Sequence, residues 1–338
     1  MKKIMFFRPL LYMGGTEVAI LNLLKVLSKC KDYEFYIGYS DNTSDAGLLE
    51  KLSKYSNIIN VEENNVQVDI LINCSPYKSS IDKLGKVKYR KSFLWFHYFG
   101  KYEEQVFCDS KYLESLDKVI VVSETQKNIM LKQPYDKYIY NKIDVIHNIL
   151  NSREIKEKSS KLVDLDFSKT LNLVTISRLS IEKGFHRMLE LANLIKMQGI
   201  DFKWYIIGSS YYPEIENEIK NMFKEYENNF VFLGIKHNPF RILRHCDYLV
   251  LLSDDETWGM TITEAKILGI PCIVTDFPAA YEQIQDMHNG IILPRYNTEN
   301  YESRIDDIIN NKYTLKQNLK GFKYDTEKII EKWKEILN

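Results

Sequence analysis

Arg178 and Lys183 lie five residues apart, and Gly184 follows directly. The stretch Ser177–Gly184 sits between an apolar run, Leu171–Ile176, and a helical stripe that begins at Phe185. Two cations at such a strand-to-helix turn can neutralise a phosphate or diphosphate, and a helix N-terminus adds backbone N–H donors and a positive dipole end. The plain alternative is a solvated loop with ordinary surface charges. Glu256 and Glu264 are separated by seven residues. Glu256 falls in the loop Asp254–Gly259, and Glu264 in the first turn of a helix predicted over Thr261–Leu268. Carboxylates suit sugars because each oxygen accepts a hydroxyl hydrogen, and one carboxylate can hold a ribose diol through both oxygens. Gly259 lets a ligand approach the backbone closely, with the amides after it directed at any anion. Against this, Thr261 and Glu264 form a T-x-x-E capping box, which alone would account for Glu264.

Weaker signals lie in the first third. Gly14-Gly15 follows a strand and precedes a helix, as a phosphate-approaching loop or a plain tight turn does; the pair lacks the GxGxxG spacing of a dinucleotide fingerprint. His97 ends a predicted strand, where ligand-facing residues belong, amid Phe93, Trp95, Phe96 and Tyr98, a setting that equally suits a packed, hydrogen-bonded histidine. His147, His186, His237, His245 and His288 show no metal spacing, and no GxSxG elbow, HExxH or Walker loop is present. Cys30, Cys74, Cys108, Cys246 and Cys272 are odd in number and unpaired in spacing, as buried thiols in a reducing compartment are.

The elements that must position these residues alternate. Strands are predicted at Lys3–Phe7, Glu34–Tyr39, Asp69–Asn73, Ser92–His97, Lys118–Val122 and Asp144–His147. Helices fall at Glu17–Ser28, Ala46–Leu52 and Glu124–Leu131. After a charged, weakly patterned stretch, Asn151–Lys169, read as a linker, the pattern restarts. Strands at Leu171–Ile176, Phe202–Ile207, Val231–Leu233, Tyr248–Leu252, Pro271–Val274 and Ile291–Leu293 alternate with helices, including Glu214–Tyr226. An amphipathic helix, Thr326–Leu337, ends the chain. Such alternation implies parallel sheets with helices on both faces, and 338 residues suggest two domains at roughly 150 residues each. In open α/β sheets ligands bind beyond the carboxyl ends of the strands, and two such domains usually share a cleft. Basic and acidic residues both total 46, so no net charge invites nucleic acid. No apolar stretch approaches the roughly 20 residues that span a bilayer. A cytoplasmic protein is expected, at most peripheral on the inner face of a membrane. The run Lys86-Val87-Lys88-Tyr89-Arg90-Lys91 fits an anionic membrane surface or, equally, a solvated turn.

Together these residues resemble the retaining glycosyltransferases of family 4. The likeness is strongest over residues 170–293. Ser177-Arg178-Leu179 through Glu182-Lys183-Gly184 is similar to the family's GRL…KG segment, Ile206-Ile207-Gly208 to its IVG and Val231–Gly234 to its V.FLG. Leu252–Gly269 is similar to its E-x7-E region; Pro271–Asp276 and Glu282 follow in order, and Gly14-Gly15-Thr16-Glu17 fits at the N-terminus. Two departures stand out: Thr257-Trp258 replaces a common Gly-Phe, and Pro278-Ala279-Ala280 stands where a Gly-Gly pair is common.

The resemblance implies the α/β GT-B fold, with two Rossmann-like parallel domains facing an interdomain cleft. Residues 1–165 would form an acceptor-side domain, 166–322 a nucleotide-sugar-binding domain, and 323–338 a helix crossing back to the first. Arg178 and Lys183 would hold the donor diphosphate, Glu264 the ribose and Glu256 the hexosyl hydroxyls. The amides near Met260 and Thr261 would lie close to sugar and phosphate, with Gly14, Gly15, Gly208, Thr257, Trp258 and Gly259 lining the donor. His97 would sit beside the hexosyl group, making Arg178, Lys183, Glu256 and His97 the catalytic set, and Glu282 would be structural or cleft-lining. The implied activity is transfer of a hexosyl unit from a nucleotide sugar, a UDP-sugar foremost, to a glycan or lipid-linked saccharide, with retention and without metal or cofactor, in surface polysaccharide or glycoconjugate synthesis. A nucleotide-sugar epimerase and a non-catalytic nucleotide-sugar-binding subunit stay open as alternatives. The variable segment Tyr98–Ser110 and the pocket around Thr257-Trp258 would set acceptor and sugar.

Overall fold

A computed structural model describes residues 1–41, 44–75, 77–98, 110–133 and 136–338. The chain forms two compact units, residues 1–150 with 325–338, and residues 151–324.

In the first unit the apolar runs become strands β1 (Lys2–Phe7), β2 (Tyr33–Tyr39), β3 (Asn57–Asn60), β4 (Val66–Gln67), β5 (Ile70–Asn73), β6 (Val87–Lys88), β7 (Lys91–Phe96), β8 (Lys118–Val121) and β9 (Ile143–Val145). Seven of them form one parallel sheet in the order β3-β2-β1-β5-β7-β8-β9, and β4 pairs with β6 apart. Both faces are covered, so the central strands read as continuous apolar runs; Ile4, Met5, Phe6 and Phe7 are all fully buried. Helix Gly15–Leu27 lays Ala19, Ile20, Leu23, Leu24 and Leu27 against the sheet. Helix Thr326–Leu337 belongs to this unit: its buried Trp333 packs edge-on against Trp95, with ring centroids 4.7 Å apart. Thr326 Oγ1 donates to the Leu150 carbonyl at 2.7 Å, and Lys332 Nζ to that of Val145 at 3.0 Å.

The second unit holds β10 (Leu171–Ile176), β11 (Phe202–Ile207), β12 (Phe230–Gly234), β13 (Tyr248–Leu251), β14 (Cys272–Thr275) and β15 (Gly290–Leu293). All are parallel, in the order β12-β11-β10-β13-β14-β15. The chain winds outward from β10 to one edge and then from β13 to the other, so the order reverses between β10 and β13, the point outside which open α/β sheets bind ligands. A polar thread ties this centre. The Trp204 indole donates to Thr175 Oγ1 at 3.0 Å, and Thr175 Oγ1 to the Val250 carbonyl at 2.9 Å.

The junction between units differs from the sequence expectation. It falls at 150/151 rather than 165/166, and the second unit ends at Tyr324 rather than at 322. Residues read as linker form helix Ser152–Ser159, capped by the Asn151 side chain on Glu154 N–H. Asn238 Nδ2 donates to the Lys158 carbonyl at 2.9 Å and Arg244 to that of Ser159 at 3.3 Å, fastening the helix to the second unit. Its dense charge hides one apolar anchor, Ile155, which is 4% exposed. Among smaller differences, β3 was not expected, since only Ile58 and Ile59 mark it between two asparagines. The predicted helix Glu214–Tyr226 runs Pro213–Met222 before breaking into a 3-10 turn, Lys224–Tyr226.

Candidate functional site

The loops after β10 and β13 are side by side because those strands pair, Leu173 with Tyr248 and Val174 with Leu249. Three glycines allow the close fit. Gly208, directly after β11, has φ +142°, and a Cβ there would stand 1.8 Å from the Ser177 carbonyl oxygen. Gly184 has φ +71°, and its Cβ would stand 1.9 Å from the Leu252 carbonyl oxygen. Gly259, at φ +73°, turns the chain into helix Met260–Ile267. The two loops are also bonded directly: Asp254 N–H donates to the Glu182 carbonyl at 2.8 Å.

This brings Lys183 and Glu256 together. Lys183 Nζ donates to Glu256 Oε1 at 2.8 Å, and Ser253 Oγ donates to the same oxygen at 3.0 Å. Their side chains are 14% and 18% exposed. Arg178 is half exposed, 3.2 Å from Glu182, with its guanidinium 5.6 Å from the Tyr211 ring centroid. Burial pushes the Glu182 carboxyl up, but hydrogen bonds from Ser180 and its own backbone, with the charges of Lys183 and Arg178, outweigh it and leave the carboxyl below its ordinary value.

Behind the loop lie cations the sequence reading did not single out. Arg187 is 3% exposed and donates to the Leu252 carbonyl at 2.9 Å, to Asp254 Oδ1 at 2.6 Å and to the Arg295 carbonyl at 3.3 Å. Arg295 donates to the Asp254 carbonyl at 2.6 Å, and Asp276 accepts from the Arg295 N–H at 2.8 Å. The signal for Arg187 was slight: a cation one turn into an otherwise apolar helical stripe. Asp254 is therefore committed to Arg187, and among the described residues no group of three His, Cys, Asp or Glu side chains gathers as a metal site requires.

Glu264 does not cap its helix. The N-cap is Gly259, which offers no side-chain bond, and Thr261 already lies inside the helix. The capping-box reading is thus overturned, because the αL turn at Gly259 starts the helix earlier than the Thr-x-x-Glu pattern supposes. Glu264 is instead 9% exposed, and burial pushes its carboxyl up to about 8, against a smaller opposing pull from Lys158. Thr257 is half-buried, Trp258 buried, Met260 and Thr261 half-buried, and Glu282 exposed on helix Ala280–Gln283.

The first unit holds the other expected residues. Gly14 and Gly15 lie after β1, where Gly14 is the N-cap of helix Gly15–Leu27 in extended conformation, φ −148°. Glu17, in the first turn and 3% exposed, is bonded to Arg8 at the end of β1, Nε to Oε1 at 2.8 Å. Arg8 also donates to the Cys74 carbonyl at 3.1 Å and to Tyr98 Oη at 2.6 Å, so one buried guanidinium fixes three segments around the Gly-Gly turn. His97 Nε2 meets Asn148 Oδ1 at 3.2 Å, and its ring lies 4.5 Å from that of Trp95. Burial, with the nearby Arg8 charge, lowers the imidazole to about 4 against the opposing bond to Asn148, so the ring is neutral near pH 7. Of the segment Tyr98–Ser110, residues 99–109 lie outside the described residues, as does Cys108. In the basic run, Lys86 donates to the Glu62 carbonyl and Arg90 stands 3.6 Å from Asp69, while Lys88 and Lys91 are exposed. Among the described residues no helix is long and apolar enough to cross a membrane.

Two Rossmann-type parallel units form the fold of the GT-B glycosyltransferases, and cations and carboxylates stand at the reversal point of the second. Residues 160–325 match the family model of the glycosyl transferases group 1. Along its whole length the chain is 25% identical to an uncharacterized glycosyltransferase of Haemophilus influenzae, covering 100% of both chains. It is 24% identical to the poly(ribitol-phosphate) alpha-N-acetylglucosaminyltransferase of Staphylococcus aureus, over 69% of this chain and 48% of that one. The crystal structure of Anabaena Alr3699/HepE in complex with UDP-glucose superposes with a TM-score of 0.78 at 16% identity, covering 100% of this chain and 99% of that one.

Proposed function

We propose that the protein is a retaining hexosyltransferase that takes its sugar from a UDP-sugar and passes it to a glycan or lipid-linked saccharide in surface polysaccharide or glycoconjugate synthesis. The observation that carries the reading is the arrangement beyond β10 and β13: Lys183 bonded to Glu256, Arg178 on the same loop as Lys183 and paired with Glu182, and Glu264 buried on the following helix. Support comes from two similar proteins. One is named for N-acetylglucosaminyl transfer to poly(ribitol-phosphate), and the other was crystallised with UDP-glucose.

In this reading the anomeric C–O bond breaks and the nucleoside diphosphate leaves with the electron pair. An acceptor hydroxyl oxygen bonds to the anomeric carbon from the same face, and its proton passes to the leaving phosphate. Negative charge grows on that phosphate, so fixed cations and amides help most there. Arg178 and Lys183 supply the cations without requiring a metal, the amides of Gly259, Met260 and Thr261 supply donors, and Glu256 accepts from hexosyl hydroxyls. Glu264 takes the ribose diol.

The test is thermal shift and nucleotide release across UDP-, GDP- and ADP-sugars in EDTA. A ligand that binds only the folded state raises the melting temperature, so the donor stands out. Release of nucleotide from one stabilising donor in EDTA supports the proposal. A strict Mg²⁺ requirement, or acceptor-free epimerisation of the donor sugar, overturns it.

A further inference from the structure

The peptide groups on either side of Gly259 are held from behind by one side chain. Gln283 is 3% exposed and directs Nε2 to the carbonyl of Trp258 and, at 3.3 Å, to that of Gly259. Its other end is fixed. Thr263 Oγ1 donates to Gln283 Oε1 at 2.6 Å, while Lys266 Nζ donates to the Gln283 backbone carbonyl at 2.7 Å and Asn289 Nδ2 to the same oxygen at 3.3 Å. A hydroxyl with its hydrogen committed to the oxygen end leaves only the amide NH2 to face the two carbonyls.

Among the described residues no peptide bond is cis, and in a trans peptide C=O and N–H point in opposite directions. With the Trp258 and Gly259 carbonyls drawn to Gln283, the N–H groups of Gly259 and Met260 face the other way. They and the Thr261 N–H donate to no protein acceptor among the described residues. Gly259 is left-handed at φ +73° and Met260 opens an eight-residue helix. Successive N–H groups across an αL-to-αR turn form a concave seat for an anion.

We infer that Gln283 is a positioning residue that aims the Gly259 and Met260 amides at the donor diphosphate. The inference rests on the reading that this loop takes a nucleoside diphosphate. Gln283 touches no ligand itself; it acts through the two carbonyls it holds. Gln283→Met keeps the bulk and removes the donor, so the peptide planes are free to turn. Gln283→Glu places an acceptor against two carbonyls. Thr263→Val leaves the amide in place and removes the bond that orients it.

The experiment is calorimetric titration of wild type and the three variants with UDP, GDP and ADP, and ligand-observed NMR with the matching nucleosides. Wild type should bind one diphosphate. Gln283→Met and Gln283→Glu should bind it roughly tenfold more weakly or worse, as loss of charge-assisted bonds requires, with Thr263→Val between. Nucleoside affinity should stay within about twofold, because the nucleoside lacks the groups the amides serve. Equal diphosphate affinity in wild type and the Gln283 variants overturns the inference alone. So does an equal loss for nucleoside and diphosphate, which a merely structural role would give. Wild type that binds none of the three diphosphates overturns the functional reading and the inference with it.

Discussion

Lys183 Nζ and Glu256 Oε1 meet at 2.8 Å across the point where the second sheet reverses its strand order. The bond joins the loop after β10 to the loop after β13, and each partner is more than four-fifths buried. Before any ligand arrives, each charge is therefore neutralised by the other. On the proposed function, a diphosphate and a sugar hydroxyl would take over from these protein partners, and binding would exchange contacts rather than create charge in a vacancy.

Removing one partner exposes that coupling. Lys183→Ala leaves Glu256 with Ser253 as its remaining donor, so folding stability should fall by about 1–3 kcal/mol, and turnover by roughly a hundredfold through loss of leaving-group stabilisation. The double variant Lys183→Ala/Glu256→Ala should lose less stability than the two single losses added, since the pair is one interaction. Urea unfolding of the four proteins checks the cycle, and nucleotide release checks turnover. Strictly additive unfolding energies would show that the pair is not coupled.

The glycines separate two causes of strain. Gly208 and Gly199 both have positive φ, +142° and +69°. A Cβ on Gly208 would enter the Ser177 carbonyl, whereas one on Gly199 meets nothing within 4 Å. Gly199→Ala should therefore cost only about 1 kcal/mol of left-handed strain. Gly208→Ala should cost roughly 3 kcal/mol or more, because two strand-end loops must also move apart. Thermal melts of the two variants decide it; equal shifts would mean that the loops yield without cost.

Much of this site was legible because parallel strands announce themselves as apolar runs and ligand loops follow them. Arg178, Lys183, Glu256 and Glu264 were singled out by type and position, the resemblance gave them roles, and the structure brings Lys183 and Glu256 into contact. What stayed hidden depends on partners far apart in the chain. Arg187 reads as one more helix charge until its carbonyls at Leu252 and Arg295 are seen, and Gln283 is unremarkable until it faces Trp258 and Gly259. The T-x-x-E pattern pointed the wrong way because local sequence does not show that Gly259 has already turned the chain. The unit boundary was misplaced because Ile155, a lone apolar residue among charges, does the anchoring.

His97 should make the fold acid-sensitive. Its imidazole is lowered from 6.5 to about 4 by burial. Between those values the unfolded chain binds a proton that the folded one refuses, so the contribution is complete above 6.5 and is lost as pH falls toward 4. The stability gap between wild type and His97→Gln should narrow over that window. Denaturant midpoints at pH 7, 5.5 and 4 measure it, and a constant gap would show that His97 titrates normally.

Glu264 should couple nucleotide binding to proton release. Burial raises its carboxyl from 4.5 to about 8, so at pH 7 the folded protein holds it mostly protonated. A raised carboxyl disfavours folding once ionised. Between pH 4.5 and 8 the folded state keeps a proton that the unfolded chain has lost, and stability declines as pH rises through that window. Glu264→Gln should flatten the decline. A ribose diol that donates to both carboxylate oxygens favours the ionised form, so binding at pH 7 should release close to one proton per site. Calorimetric titration with UDP in two buffers of different ionisation enthalpy reads that proton directly. The apparent enthalpies should differ for wild type and coincide for Glu264→Gln. If they coincide for wild type as well, the carboxyl is either ionised before binding or not the group that meets the ribose.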